Sequence, residues 1–309
     1  MNSSINFWGI GAQKAGTTWL HDQLSLREEF LVPPVKELHY FDKALKYPSR
    51  SPIGIPLKKR FKNKRVREQA LKDFKNSLPQ LKELSFCLRY YFTTNPNDNW
   101  YNRLLKNSEK YTGEITPSYA ILDPEDITRM HSMSPKAKII YIVRDPIDRA
   151  WSHFRFSQRD SKTFHNSTSQ IKNVIDFINS DSQQQRSDYI KTIRNFSKVF
   201  PKNQILIVFF DAIKTDPDGL MRDVIDFISD GNISINDSDS TPNKISNQSK
   251  SLTCPPEIID FIKEKYYHQI KSLSNEYGNY FNLWLQKNYA GYGNQSLAKV
   301  TPTLRLKQK

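Results

Sequence analysis

The chain has 309 residues, 37% of them hydrophobic and 12% aromatic, enough to bury one large core and too much for a disordered chain. Its 46 lysines and arginines against 32 acids leave +14, a charge that attracts an anion without saying whether it is nucleic acid, membrane, polysaccharide or nucleotide. No apolar run approaches the ~18 residues of a membrane span, no basic leader precedes an apolar stretch, and Cys87 and Cys254 fit neither a disulfide framework nor a metal site, so a cytoplasmic setting is expected.

Short apolar runs alternate with amphipathic stretches, the pattern of an α/β fold with a central parallel sheet flanked by helices. The first strand is expected at 5–10 and runs into GAQKAGTTWLHDQL, with a helix over 17–26. Gly11, Gly16 and the Thr17–Thr18 pair at the helix start make a loop whose backbone amides close on a phosphate at the positive helix end. The nucleotide-kinase form of such a loop has its lysine directly after the second glycine. Here the lysine is Lys14, inside the loop, where it meets a phosphate near the bond to a transferable group and suits a leaving phosphate better than a triphosphate tail.

A second strand at 30–32 leads into PPVKELHYFD, and residues 43–110 interrupt the rhythm with a basic run, KKRFKNKRVR, and a cluster of aromatics. A third strand is expected at 112–115, a helix at 123–133 and a fourth strand at 138–143, whose consecutive apolar residues mark cover on both faces. That strand ends in Arg144, followed by Asp145 as N-cap and Pro146 opening a helix over 146–158. Arg144 and Ser152, two turns into the helix, are a candidate phosphate grip, against a plain surface pairing of Arg144 with Asp145 or Asp148. Residues 156–200 hold two amphipathic helices, and a fifth strand at 204–210 precedes a helix at 217–229. The expectation is a single domain over 1–287, insertions near 43–110 and 156–200 shaping an acceptor site, and a basic, flexible tail at 288–309.

GAQKAGTTWL and IIYIVRDPIDRAWSHFRFS together resemble the two phosphate-binding segments of the sulfotransferases that use 3′-phosphoadenosine 5′-phosphosulfate (PAPS). The resemblance implies that Lys14 assists transfer and that Ala15, Gly16, Thr17, Thr18 and Trp19 surround the 5′-phosphosulfate. It implies that Arg144 and Ser152 hold the 3′-phosphate, and that no metal is required. PPVKELHYFD is similar to a segment of the branch acting on heparan sulfate and related glycans, which by position makes Glu37 the catalytic base and Lys36 a second catalytic lysine. A carboxylate beside lysines can take the proton of an attacking hydroxyl, and His39 is the alternative base. GEITPSYAIL resembles an acceptor-cleft segment, making Glu114 and Tyr119 candidate substrate contacts, although Glu114 reads equally as a structural carboxylate. TPNKISNQSKSLTCPPEI resembles a loop closing over PAPS, with Lys244, Ser246 and Lys250 as candidate contacts.

The expected reaction is sulfuryl transfer from PAPS to an acceptor hydroxyl, on a carbohydrate or glycolipid, with 3′,5′-bisphosphoadenosine as product. The acceptor is expected to be anionic or at a membrane surface, with no nucleic acid involved. Two rivals remain: a P-loop kinase or NTPase recruiting Asp145 or Asp211 for Mg²⁺, and a non-enzymatic polyanion binder built on the basic run.

Overall fold

In the computed structural model, which describes residues 5–49, 51–107, 109–158, 168–234, 253–289 and 300–306, six strands form one sheet: β1 (Phe7–Gly11), β2 (Phe30–Leu31), β3 (Tyr111–Ile115), β4 (Lys138–Val143), β5 (Ile205–Phe209) and β6 (Thr303–Arg305). Their order is β2-β3-β1-β4-β5-β6. The first five are parallel and β6 is antiparallel to β5. Every residue of β1 and β5 is buried, as consecutive apolar strands between helical layers must be. The five expected strands are present, with ends shifted by a residue or two. The strand at β6 was not expected, and it puts part of the basic tail into the sheet.

The helices are, in chain order, α1 (Thr17–Ser25), α2 (Leu57–Arg60), α3 (Lys64–Ser77), α4 (Leu81–Tyr91), α5 (Asp98–Leu104), α6 (Pro124–Met133), α7 (Pro146–Ser157), α8 (Thr168–Asn179), α9 (Asp181–Ser187), α10 (Tyr189–Ser197), α11 (Ala212–Thr215), α12 (Pro217–Ser229), α13 (Pro256–Tyr277) and α14 (Asn279–Trp284). Asp123, Asp145 and Asp216 each accept a backbone N–H at the start of α6, α7 and α12, each ahead of a proline at the first helical position. Such a cap stabilises a helix by about 1 kcal/mol, and the proline prevents helix from extending backwards.

The main core lies on both faces of the sheet, and a second apolar cluster joins α7, α8 and α13 through Trp151, Phe154, Val174, Ile178, Ile258 and Ile262. Trp8 and Trp19 are buried in the main core. Because the chain crosses from β3 to β4 over β1, the loops after β1 and β4 open beside each other at the carboxyl edge of the sheet, where folds of this class bind ligands.

Candidate functional site

Gly16 caps α1 with φ 97° and no side-chain cap, and the first intrahelical bond runs from the Leu20 amide to the Gly16 carbonyl. The amides at the head of α1 therefore point out of the helix end, over the carboxyl edge of β1. A Cβ on Gly16 would lie 2.5 Å from Ile213 Cδ1, so backbone conformation and packing both favour glycine there.

Five non-glycine residues of the described chain have left-handed φ, and Lys14 (69°), Glu37 (61°) and His39 (52°) are three of them. Backbone held in this region is costly for residues with a side chain, and such cost concentrates where side chains must be aimed. Lys36 donates from Nζ to Thr18 Oγ1, joining the segment after β2 to the head of α1. Its ammonium lies 4.0 Å from Glu37 Oε1. His39 Nε2 is 3.5 Å from Glu37 Oε2, and His39 Nδ1 is 2.8 Å from Oδ2 of Asp42, which is buried.

These contacts fix the protonation pattern. Burial works against a charged His39, yet its bonds to Asp42 and Glu37 raise it to about 10, so the ring is an imidazolium. Burial pushes the Glu37 carboxyl up, and His39 with Lys36 outweigh it, leaving a net lowering and an ionised carboxylate. Of the two candidate bases, Glu37 is therefore the one with a free pair of electrons. Asp42 belongs to the same chain of contacts and was missed from sequence; its only signal is the i, i+3 spacing from His39.

Lys14 Nζ sits 4.3 Å from the centre of the Phe156 ring. Its pKa is lowered by burial and by the charges of Arg144, Lys36 and Arg155, the behaviour of an ammonium in a pocket with excess positive charge. Arg144 crosses from the end of β4 to bond the Lys14 carbonyl at 3.4 Å, and it packs on Phe210 with 4.3 Å from guanidinium carbon to ring centre. Asp148 Oδ2 accepts from Arg144 at 3.3 Å, but that carboxylate is largely exposed, and the buried Nε of Arg144 has no hydrogen-bond partner among the described residues. Ser152 is half-buried on α7. The loop lysine, the arginine with an unused donor and the outward amides fit a ligand bearing several phosphate-like charges.

Beyond Lys14 lie two buried arginines that sequence reasoning did not single out. Arg149 donates to the Gln13 carbonyl at 3.4 Å and to Ser187 Oγ. Arg186 donates to Ser182 and, at 3.3 Å, to Ser49 Oγ. Neither forms an ion pair with a described carboxylate. His153 bonds Gln183 Oε1 at 2.7 Å, and burial together with Arg149, Arg186 and Lys14 lowers it to about 4. Arg186 belongs to the 156–200 insertion, which its sequence marks only as amphipathic helix, so nothing there singled it out.

Two sets of expected contacts lie in the interior, and a third falls outside the described residues. Glu114 and Tyr119 are buried and present no open surface to an acceptor in this structure. Glu114 accepts from Tyr101, from Tyr119 at 2.8 Å, from Thr116 at 2.9 Å and from the Leu38 amide at 3.3 Å, and burial raises its pKa. It is a pillar beneath the Glu37 segment. Trp19 is buried in the main core. Lys244, Ser246 and Lys250 fall outside the described residues.

Asp145 and Asp211, the acids a kinase would give to Mg²⁺, are already used. Asp145 accepts from Ile147, Asn288 and Tyr289, and Asp211 accepts from Trp284 Nε1 at 3.2 Å.

A family model described as "Sulfotransferase domain" matches residues 5–282. Heparan sulfate glucosamine 3-O-sulfotransferase 3B1 of Mus musculus is 34% identical over 134 residues, 42% of this chain and 34% of the relative. The Homo sapiens 3B1 protein is 33% identical over the same length, so the match spans about a third of these curated relatives. A sulfotransferase from Alicyclobacillus acidocaldarius has a similar fold, with TM-score 0.59, 22% identity, and coverage of 88% of this chain and 94% of that one.

Proposed function

From the premise that this chain belongs to the sulfotransferase domain family and is a transferase, we propose that it moves a sulfuryl group from PAPS to a hydroxyl of a carbohydrate-containing acceptor, with Glu37 as base. The observation that carries the reading is the Lys36 to Thr18 bond, which sets the Glu37 carboxylate beside the head of α1 and the Lys14 loop. PAPS supplies a sulfur centre joined to a phosphate leaving group. The curated relatives named above act on heparan sulfate, which supports a carbohydrate acceptor.

The outward amides at Gly16 to Thr18 bind the 5′-phosphate side, and Arg144 with Ser152 grips the 3′-phosphate. Glu37 takes the acceptor proton onto a carboxylate oxygen as that hydroxyl attacks. The His39 imidazolium holds Glu37 in place, and Asp42 holds His39 in its charged form. Lys14 and Lys36 neutralise negative charge growing between the departing phosphate and the sulfuryl oxygens, at ammonium groups already fixed by the fold.

The test is transfer of labelled sulfate from PAPS to an acceptor panel, with binding to immobilised 3′,5′-bisphosphoadenosine in EDTA as a separate readout. Glu37→Gln is expected to keep that binding and lose at least about a hundredfold in turnover, and Lys14→Ala to lose turnover as well. An unimpaired rate in either variant removes that residue from the mechanism, and Mg²⁺-dependent ATP hydrolysis would favour a kinase-like reading.

A further inference from the structure

Residues 57–92, which fold as α2, α3 and α4, hold eleven lysines and arginines against three acids, and with Arg60 and Asp73 buried the ten exposed cations against Glu68 and Glu83 still leave a net +8. The site described above uses none of these residues directly. The same segment exposes Leu71, Leu78, Leu81, Leu88 and Phe92, each between 48% and 82% exposed and together five of the eight large apolar side chains that the described surface exposes. Large exposed apolar side chains concentrated in one short charged segment are the kind of feature that marks an interaction surface.

Their spacing makes two stripes. On α3 the buried side is Val66, Ala70, Asp73 and Ser77. Leu71 and Leu78 are seven residues apart and lie to one side of that buried row, interleaved at helical spacing with exposed Lys64, Arg67 and Lys75. On α4, Leu81, Leu88 and Phe92 recur at i, i+7 and i+11, with exposed Lys82 and Arg89 beside them. Phe92 is buttressed by Phe61 and Phe74, at ring-centre distances of 5.2 and 6.3 Å. The α3 to α4 turn, with Leu78 and Leu81 at its ends, carries Leu81, the most exposed of these leucines.

We propose that the α2 to α4 face docks this protein on an anionic lipid bilayer, with the leucine stripes at the headgroup boundary and the lysines and arginines on the lipid phosphates. Long cationic side chains with apolar stems, flanking leucines, suit that interface, where charge attracts and apolar area inserts. A polysaccharide or nucleic acid meets the charge but leaves the leucines unused. A second copy of this chain meets the leucines but sets +8 against +8.

The helices behind this face touch the reaction site: Tyr90, on the buried side of α4, donates to the carbonyl of Leu38, next to Glu37, at 3.0 Å. Docking would bring a hydroxyl carried on a lipid headgroup to the Glu37 edge. That last consequence rests on the sulfotransferase reading; the docking surface does not.

The test is sedimentation of the full chain with vesicles of phosphatidylcholine alone, or with about 30% phosphatidylglycerol, at ~0.1 M salt, where charges more than about 10 Å apart are screened. Binding to the anionic vesicles at least about tenfold tighter than to the neutral ones is expected. The double variant Leu81→Ser with Leu88→Ser should weaken it by about tenfold or more without altering charge. Binding of 3′,5′-bisphosphoadenosine by the variant reports its fold, and failure of that binding in the native chain would count against the PAPS reading alone. No affinity for anionic vesicles overturns the docking surface. So does binding indifferent to the two serines, which would mark a general polyanion site, or a concentration-dependent dimer abolished by them.

Discussion

Leu38, the residue between Glu37 and His39, donates its backbone amide to the buried carboxylate of Glu114 at 3.3 Å. The end of β3 thereby fixes the segment that presents the proposed base. Tyr119 extends the same support, accepting from the Tyr40 amide at 2.9 Å while donating to Glu114.

Glu114→Gln should therefore lower kcat more than it lowers affinity for 3′,5′-bisphosphoadenosine. An amide in place of the carboxylate brings a donor among hydroxyls already donating to it, costing about 1–3 kcal/mol of stability. A urea titration gives the stability and a rate measurement on the folded fraction gives kcat. Unchanged kcat with lost stability would leave Glu114 purely structural.

The rate should depend on pH through His39. Its folded pKa, about 10, is above the unfolded value. Its contribution to stability is thus complete below about pH 6.5 and is lost as pH rises through about 10. Glu37 has the opposite sign: its lowered pKa gives stability above about pH 4.5 that disappears on further acidification. Turnover should then hold level through neutrality and fall on the alkaline side as the imidazolium deprotonates. Asp42→Asn removes the stronger partner of His39, so its alkaline limb should move toward neutral pH. An alkaline limb unmoved by that change would separate His39 from the rate.

Arg144→Ala should cost about ten- to a hundredfold in affinity for 3′,5′-bisphosphoadenosine, the usual range for a charge-assisted contact. Affinity for adenosine 5′-phosphate, which lacks the 3′-phosphate, should change much less. Titration calorimetry with both ligands reads the difference, and equal losses would show that Arg144 supports the Lys14 loop, whose carbonyl it already bonds.

Two glycines separate packing from ligand binding. A Cβ at Gly113 would lie 2.4 Å from the backbone oxygen of Phe7, which cannot move without parting β1 from β3. At Gly16 the obstacle is the tip of Ile213, a side chain that can yield, leaving mainly the φ cost of about 1–2 kcal/mol. Thermal melts should rank Gly113→Ala as the more destabilising, while Gly16→Ala should be the one that weakens 3′,5′-bisphosphoadenosine binding in the folded protein.

Much of this was legible in the chain because local chemistry and global fold agree. IIYIV and ILIVFF carry consecutive apolar residues of the kind buried strands carry, and Asp123, Asp145 and Asp216, each before a proline, start helices. Lys14, Lys36, Glu37 and Arg144, spread over 130 residues, are brought to one edge because each follows a strand of the same parallel sheet. What stayed hidden depends on partners far along the chain. The three residues of β6 owe their extended form to β5. A strand-end glutamate such as Glu114 reads alike whether it faces solvent or three buried hydroxyls. The guanidinium of Arg186 acquires its place only after α9 folds beside Arg149.

The antiparallel pairing of β6 with β5 also sets an order of events. Roughly ninety residues separate the two strands, and at ~5–20 residues per second a ribosome takes about five to twenty seconds to make them. For that interval ILIVF has a neighbour on one side only, β4, and an open row of peptide groups on the other. A nascent chain with such an edge can pair with another like it. Crowded synthesis, with many nascent chains close together, is therefore the condition in which this edge is exposed to like partners.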